Sequence, residues 1–178
     1  MDEPGSHSLF TYEDLAAGLR RGDFSRLALL FESAPDAGSP ITQWLREGRF
    51  DHDRAMLNEV VTCACFLGIT PMVSFLIEHG ADPVAGIGTG MNGLHWASNR
   101  GQLDTVQYLV TRDLSLEVRN SYGGTVLGGT VWASVHEPKP EHPAIIEVLL
   151  MAGADIANAE YPSGNAEVDR ILEHHGAK

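Results

Sequence analysis

Residues 75–82 read Phe-Leu-Ile-Glu-His-Gly-Ala-Asp, and residues 108–115 read Tyr-Leu-Val-Thr-Arg-Asp-Leu-Ser, 33 positions later. Upstream of these two segments, residues 61–64 and 94–97 line up at the same offset. A fixed period of this size predicts small structural units stacked on copies of themselves, each burying the apolar face of its neighbour. Such a stack builds an extended surface more often than it builds a catalytic pocket.

The repeat defines a common register along most of the chain. The first helix of each unit is predicted to end at Gly22, Gly68, Gly101 and Ser134. The apolar positions of the second helices then fall at residues 29–31, 75–77, 108–110 and 148–150, and a final second helix is predicted over residues 168–177. Gly-Ala-Asp follows two of these helices, where glycine supplies the left-handed residue beyond a helix end.

In this register the chain resembles an ankyrin-repeat protein, whose unit carries the motif T-P-L-H-x-A. Residues 92–97 (Asn-Gly-Leu-His-Trp-Ala) are the nearest copy, and residues 125–128 (Thr-Val-Leu-Gly) are a variant. The resemblance, to a small protein of bacterial type, implies an all-α solenoid of helix–turn–helix units with β-turn fingers. We expect a single domain over residues 1–178, with units at 11–32, 49–82, 83–115 and 116–155, a shortened cap at 156–178, and insertions at 33–48 and 135–143.

Local signals refine this outline. Residues 11–14 predict a capping box at the start of the first unit. Within the first insertion, Ser39 and Pro40 predict the start of a short helix that Trp44 and Leu45 anchor. The three prolines in residues 135–143 predict an extended surface loop, and residues 161–164 predict a turn in the cap.

The amino-acid composition limits the kinds of partner and the cellular location that we expect for this protein. Twelve Lys and Arg residues against 24 Asp and Glu residues give a net charge of −12, which disfavours binding to a phosphate backbone. No apolar run approaches the length of a membrane span, and the acidic N-terminus lacks the order of a secretory signal. Cys63 and Cys65 lie two positions apart in a predicted helix, where a disulfide is disfavoured. A cytoplasmic protein with reduced thiols is expected.

The resemblance places candidate binding residues on the concave side of the first helices and at the finger tips. Carried over by register, one row is Ala17, Cys63, Trp96 and Gly129; the next is Arg20, Phe66, Asn99 and Trp132; the third is Arg21, Leu67, Arg100 and Ala133. The predicted partner-binding residues are Arg20, Arg21, Phe66, Trp96, Asn99, Arg100 and Trp132, because aromatics flanked by arginine are typical of interface hot spots. The alternative is that the aromatics pack internally and fill the groove. The fingers, at residues 49–56, 84–91 and 118–124, are a second candidate surface.

Several residues suggest chemistry, but each has a structural interpretation. The resemblance gives His95 a structural role, in which its imidazole bridges neighbouring turns. The glycines of residues 86–90 suit a finger turn and lack the lysine of a phosphate-binding loop. Residues 51–53 and 174–175 carry histidine but do not converge on a metal ligand set. Cys63 is expected to pack as a small apolar residue. We therefore predict no catalytic residue, no metal and no cofactor.

The sequence favours a non-catalytic protein-binding module, an adaptor or inhibitor, acting as a monomer or weak homodimer. Its acidity favours a basic partner and suits an immunity or toxin-neutralising role. The alternative is a small metal-dependent enzyme or sensor that uses histidines near the insertions, such as His136 and His142.

Overall fold

Polar side chains cap the first helix of each unit. A computed structural model describes residues 10–31, 38–86 and 88–178 of the chain. Within them, Thr11, Asp53, Asn92 and Thr125 each accept a hydrogen bond from a backbone N–H in the first turn of the helix that follows. These side chains satisfy N–H groups that have no partner within the helix. The Thr11 cap is the predicted capping box, completed by Asp14.

The described residues form nine α-helices and two 3-10 helices. The helices are α1 (Tyr12–Arg21), a first 3-10 helix (Phe24–Phe31), α2 (Pro40–Arg46), α3 (Arg54–Leu67), α4 (Thr70–Glu78), α5 (Gly93–Asn99), α6 (Leu103–Val110), α7 (Val126–His136), α8 (His142–Met151), a second 3-10 helix (Ile156–Asn158) and α9 (Ala166–His174). This is the all-α arrangement that the repeat predicts.

The helices stack in two layers. Helices α3, α5 and α7 pack side by side as the inner layer, and α4, α6, α8 and α9 form the outer layer behind them. A continuous apolar core lies between the layers. Its fully buried side chains include Leu57, Leu76, Leu94, Leu109, Leu127 and Ile145. Each unit thus buries its apolar face against the next one, as a repeat array requires.

The first unit departs from the others. Its second helix is a 3-10 helix, Phe24–Phe31, in which Leu29 is exposed, whereas the register placed Leu29 in the apolar set. The inserted helix α2 follows, with Ser39 as its cap and Pro40 in its first turn, as predicted. Trp44 on α2 is buried and packs edge-on against Tyr12. Residues 33–37 of the predicted first insertion lie outside the described residues.

The second predicted loop is shorter than expected. Helix α7 continues past Ser134 to His136, and α8 begins at His142 with Pro143 in its first turn. The segment between the two helices is therefore residues 137–141 rather than 135–143, and it ends in a turn at residues 140–141. The prediction treated Pro143 as a helix breaker, but proline is well tolerated in the first turn, where its missing N–H is not needed.

His142 holds this loop against the inner layer. Its imidazole is buried, its Nδ1 accepts a hydrogen bond from the Lys139 N–H at 3.2 Å, and its Nε2 lies 3.1 Å from the Asn99 carbonyl. Since Nδ1 accepts, Nε2 carries the proton and donates to that carbonyl. Burial lowers the pKa of His142, which favours this neutral form.

The fingers and the cap complete the stack. The finger before α5 touches the next finger through a hydrogen bond from the Ser121 N–H to the Thr89 carbonyl at 2.8 Å. Residues 161–164, where a turn was predicted, form a bent segment without helix, and Asn165 then caps α9. Across the described residues, no helix combines the length and apolarity needed to span a bilayer.

Candidate functional site

The inner layer presents two differently built regions. Both include residues from the rows of first-helix positions that the repeat register defines. One is a packed group of Phe24, Phe66 and Trp96, here called the aromatic cluster. The other is an open pocket further along the stack. Of the predicted residues, Arg20 and Arg21 belong to neither region and are exposed in the last turn of α1.

The aromatic cluster is held by edge-on contacts between three rings. The ring centroids are 5.3 Å apart for Phe24 and Phe66, 5.4 Å for Phe66 and Trp96, and 5.8 Å for Phe24 and Trp96. Such tilted geometries match the charge distribution of aromatic rings. Arg100 lies over the Phe66 ring at 4.7 Å and sits 3.9 Å from the Glu137 carboxylate. Four of the side chains in this region thus engage one another within the chain.

The structure therefore brings Phe66, Trp96 and Arg100 together, as the register predicted, but adds Phe24 to them. Phe24 is buried and starts the first 3-10 helix. Sequence reasoning missed it because Phe24 lies beyond the end of the first helix and so falls on none of the three rows. The only available signal was its position two residues after the glycine that ends α1.

The open pocket has a volume of about 630 Å³, within the range typical of ligand sites. It is lined by Met91, Asn99, Asn120, Tyr122, Gly123, Gly124, Gly128, Gly129, Trp132, Asn158 and Glu160. Two predicted binding residues, Asn99 and Trp132, are therefore on its wall. Tyr122 falls within a predicted finger, whereas no sequence signal pointed to Glu160 in the cap.

Two adjacent glycines of α7, Gly128 and Gly129, line this pocket and have different surroundings. Gly129 stands in register with Trp96, so the position that carries an indole in one unit carries no side chain in the next. The neighbouring Gly128 is required for packing. A Cβ at Gly128 would lie 2.6 Å from the Asn158 carbonyl oxygen, whereas a Cβ at Gly129 would meet only the Asn99 amide at 3.5 Å.

Two aromatic side chains stand at the pocket with much of their surface exposed. Trp132 is 50% exposed and Tyr122 is 79% exposed. The Trp132 indole stacks on the His136 imidazole, with centroids 4.4 Å apart and an angle of 11° between the planes. The His136 Nδ1 also lies 2.9 Å from the Trp132 carbonyl, so that the pair is fixed on α7. Trp132 is thus oriented before any partner arrives.

The polar groups of the pocket are unevenly satisfied. The amide oxygen of Asn120 accepts hydrogen bonds from the N–H groups of Tyr122 and Gly124. By contrast, the Asn99 amide oxygen is shielded from solvent and has no hydrogen-bond partner among the described residues. A buried polar atom without a partner costs stability and is a place where a bound group can compensate.

A family model described as ankyrin repeats, in three copies, matches residues 30–120 and residues 63–159. Together these matches extend over residues 30–159, well over half of the chain. The chain belongs to the ankyrin-repeat family. No curated protein matches it at a significant level. Because ankyrin repeats generally mediate protein–protein interactions, the chain carries a protein-binding module.

His95 is at the position of the motif histidine in this ankyrin-repeat protein, and its side chain lies between two neighbouring units. Its Nδ1 lies 2.8 Å from the Asn92 amide oxygen, and its Nε2 lies 3.3 Å from the Gly124 carbonyl of the next unit. Burial lowers the pKa of His95. The imidazole thus links two neighbouring units and supports the finger that borders the open pocket.

The other candidate chemical groups of the ankyrin stack are also engaged in packing. Cys63 and Cys65 are free and buried, and burial raises the pKa of both thiols. His136 and His142 do not contact each other, since His136 stacks on Trp132 and His142 is hydrogen-bonded to the Asn99 carbonyl. Within residues 10–31, 38–86 and 88–178, no group of three or more His, Cys, Asp or Glu side chains is placed to hold a metal ion.

Proposed function

We propose that this ankyrin-repeat protein binds its protein partner through the open pocket and the finger beside it. The observation that carries the proposal is the pair of exposed aromatics, Trp132 and Tyr122, at a pocket of about 630 Å³. Tryptophan and tyrosine dominate the energetics of protein interfaces because they bury a large area and lose few rotamers. The fixed orientation of Trp132 on His136 reduces that loss further.

The aromatic cluster has a different role in this proposal. Phe66, Trp96 and Arg100 support the inner layer and border the binding site rather than forming its centre. Their contacts with Phe24 and Glu137 already bury much of the surface that the sequence offered as a groove. The binding residues proposed from the sequence thus fall into three groups. Trp132 and Asn99 lie at the pocket, Phe66, Trp96 and Arg100 lie at the aromatic cluster, and Arg20 and Arg21 lie on α1, outside both regions.

The biological version of this proposal is an adaptor or inhibitor for a basic protein in the cytoplasm, working as a monomer or weak homodimer. The net charge of −12 supports a basic partner, because opposite charge accelerates encounter and discriminates among partners. Neutralising a basic toxin, as an immunity protein does, is the form of inhibition that suits a small acidic chain.

The test is affinity capture from the source cell with a matched pair of variants. Trp132→Ala removes the exposed indole from the pocket, and Met151→Ala removes an exposed apolar side chain from α8 in the outer layer. We expect a protein that the wild type retains to be retained by the Met151 variant and lost, by about tenfold or more in affinity, with the Trp132 variant. Retention by the Trp132 variant together with loss in the Met151 variant would place binding on the outer face and contradict the proposal.

Trp96 is unsuitable as the test residue. Its indole is half-buried and packs against both Phe24 and Phe66. Truncating it would therefore change folding stability and binding together, and the two effects would be inseparable. Trp132 avoids this problem because half of its surface faces solvent.

A further inference from the structure

The open pocket offers negative charge and hydrogen-bond acceptors, and none of the described residues that line it is basic. Glu160 is exposed, and it makes no hydrogen bond or ion pair with the described residues. The remaining polar side chains of the wall are the amides of Asn99, Asn120 and Asn158 and the phenol of Tyr122. A complementary group would bring positive charge and several hydrogen-bond donors.

We propose that the open pocket receives an arginine side chain of the partner, with its guanidinium between Trp132 and the Glu160 carboxylate. This inference rests on the proposed function, since it names the chemical group that the same pocket recognises. Arginine can interact with three features of the wall. These are the aromatic surface, the Glu160 carboxylate and the Asn99 side-chain amide, and the last two have no hydrogen-bond partner in the part of the chain that the structure describes.

The aromatic surface attracts a planar cation. A guanidinium stacks on an indole through attraction to the ring and through flat contact. One face of the Trp132 indole stacks on His136, and Trp132, half of whose surface is exposed, lines the pocket. Tyr122, on the finger that borders the pocket, supplies a second aromatic surface. The pocket thus has an aromatic site whose side chain is already held in place.

The carboxylate and the amide select hydrogen-bond donors. Glu160 can accept two parallel hydrogen bonds from a guanidinium, the strongest geometry for this pair. The Asn99 amide makes no hydrogen bond with the described residues, and rotation about its χ2 angle exchanges its oxygen and nitrogen. That rotation would turn an acceptor towards a donor placed in the pocket. Five N–H groups allow arginine to serve both sites, whereas lysine presents a compact and strongly hydrated charge.

One basic residue does lie behind the wall, and its charge is balanced. Arg119 donates hydrogen bonds to the Gly123 carbonyl at 2.7 Å and to the Asn158 amide oxygen at 2.6 Å. The Glu117 carboxylate accepts from the other side of the same Asn158 amide at 2.7 Å. Glu117 thereby offsets Arg119, and Glu160 leaves this side of the pocket with an excess negative charge.

The experiment uses the isotope-labelled full chain and two peptides that differ only in charge. Acetyl-Gly-Arg-Gly-amide is titrated against the same peptide with citrulline, which keeps the shape of arginine and removes its charge. The readouts are the indole N–H resonance of Trp132 and the side-chain amide resonance of Asn99, with the buried Trp44 indole as internal reference. Glu160→Gln removes the charge of the pocket, and Glu167→Gln makes the same change of net charge on the exposed first turn of α9.

We expect the arginine peptide to shift the Trp132 and Asn99 resonances and to bind at least about fivefold more tightly than the citrulline peptide, from the lost ion pair and cation–π contact. Glu160→Gln should weaken arginine binding by about two- to fivefold and leave citrulline binding unchanged, while Glu167→Gln changes neither. The corresponding lysine peptide should bind more weakly than the arginine peptide.

Equal binding of the arginine and citrulline peptides, an unaffected Glu160→Gln variant, or shifts outside the pocket would overturn the inference. Tighter binding of the lysine peptide would overturn the choice of arginine. These failures are separable from failure of the proposed function. Partner capture that depends on Trp132 alongside equal peptide binding removes only the arginine assignment, whereas capture that is independent of Trp132 removes the proposed site itself.

Discussion

The aromatic cluster and the open pocket occupy the same register of the repeat and have opposite structures. In the cluster, Trp96 fills the inner face together with Phe24 and Phe66. One unit further on, Gly129 stands where Trp96 would be, and the space above it forms part of a pocket of about 630 Å³. A single position in the register therefore decides whether the inner face is packed or open.

This difference assigns different physical tasks to the two regions. Side chains of the cluster exchange contacts within the chain, so truncating them should cost folding stability. Side chains of the pocket keep much of their surface exposed, as Trp132 and Tyr122 do, so truncating them should cost binding. Measurements of unfolding and of binding on matched variants separate these two effects.

The largest expected change follows removal of Phe24. Its side chain is buried against two aromatic rings, so Phe24→Ala should lower the free energy of unfolding by about 3 kcal/mol or more. For a chain of this size that loss corresponds to a fall in Tm of roughly 6–12 °C. Urea and thermal unfolding measure both values.

Trp132, which is half exposed, provides the control for this prediction. Trp132→Ala should change the free energy of unfolding by less than about 1 kcal/mol, because the indole is half exposed. Equal destabilisation by Phe24→Ala and Trp132→Ala would erase the distinction between a packed region and an open one.

A smaller loss of folding stability is expected when Gly128 is replaced by alanine. A Cβ there would lie 2.6 Å from the Asn158 carbonyl oxygen, so Gly128→Ala forces the backbone of the cap to move. We expect it to destabilise the protein by about 1–3 kcal/mol, as overpacking does. Wild-type stability in this variant, measured by urea unfolding, would mean that the cap shifts freely and does not define the pocket wall.

The pH dependence of stability tests the hydrogen bond between the His142 imidazole and the Asn99 carbonyl. Burial lowers the pKa of His142 in the folded protein, so the unfolded chain takes up the proton first as the pH falls. The stability from this neutral histidine is complete above its ordinary pKa of about 6.5 and declines below it, by at most about 1.4 kcal/mol per pH unit. His95 contributes with the same sign.

His142→Gln isolates the contribution of that histidine. Its amide N–H can replace the donor to the Asn99 carbonyl without titrating. Urea unfolding between pH 7 and pH 5 should therefore show a smaller loss of stability in this variant than in the wild type. An identical pH profile would mean that His142 does not couple the loop to the inner layer through its neutral form.

The smallest expected effect is an increase in folding stability, caused by replacing Gly129 with alanine. Gly129 is a helical residue, and a Cβ there would make only ordinary contact with the Asn99 amide. Gly129→Ala should therefore stabilise the protein by about 0.5–1 kcal/mol through helix propensity. Thermal unfolding of this variant beside Gly128→Ala compares two neighbouring glycines. Destabilisation of both to the same degree would contradict the different roles given to them.

The sequence predicted the parts of the fold that rest on local chemistry. Caps such as Thr11 and Ser39 and the glycine ends of helices, such as Gly68, are each set by a few neighbouring residues. The length of the second loop was wrong, because whether Pro143 breaks a helix or begins one depends on where the helix starts.

The candidate site was less predictable, since it depends on contacts between distant segments. Register alone placed Asn99 and Trp132 on the inner face. It could not show that Phe24 fills one region from another unit, or that Glu160 of the cap reaches the other. Both facts depend on how the atypical first unit and the shortened cap fold over the stack, and terminal units vary most in such arrays.

The most direct test of the account fills the open pocket without disturbing the fold. Gly129→Leu places an apolar side chain in the space that Trp96 fills one unit earlier, and Gly129→Ala serves as its control. Affinity for the captured partner should fall by about tenfold or more with leucine and by much less with alanine, while thermal unfolding shows both variants folded. A folded leucine variant that binds the partner as tightly as the wild type would show that the open pocket is not the binding site.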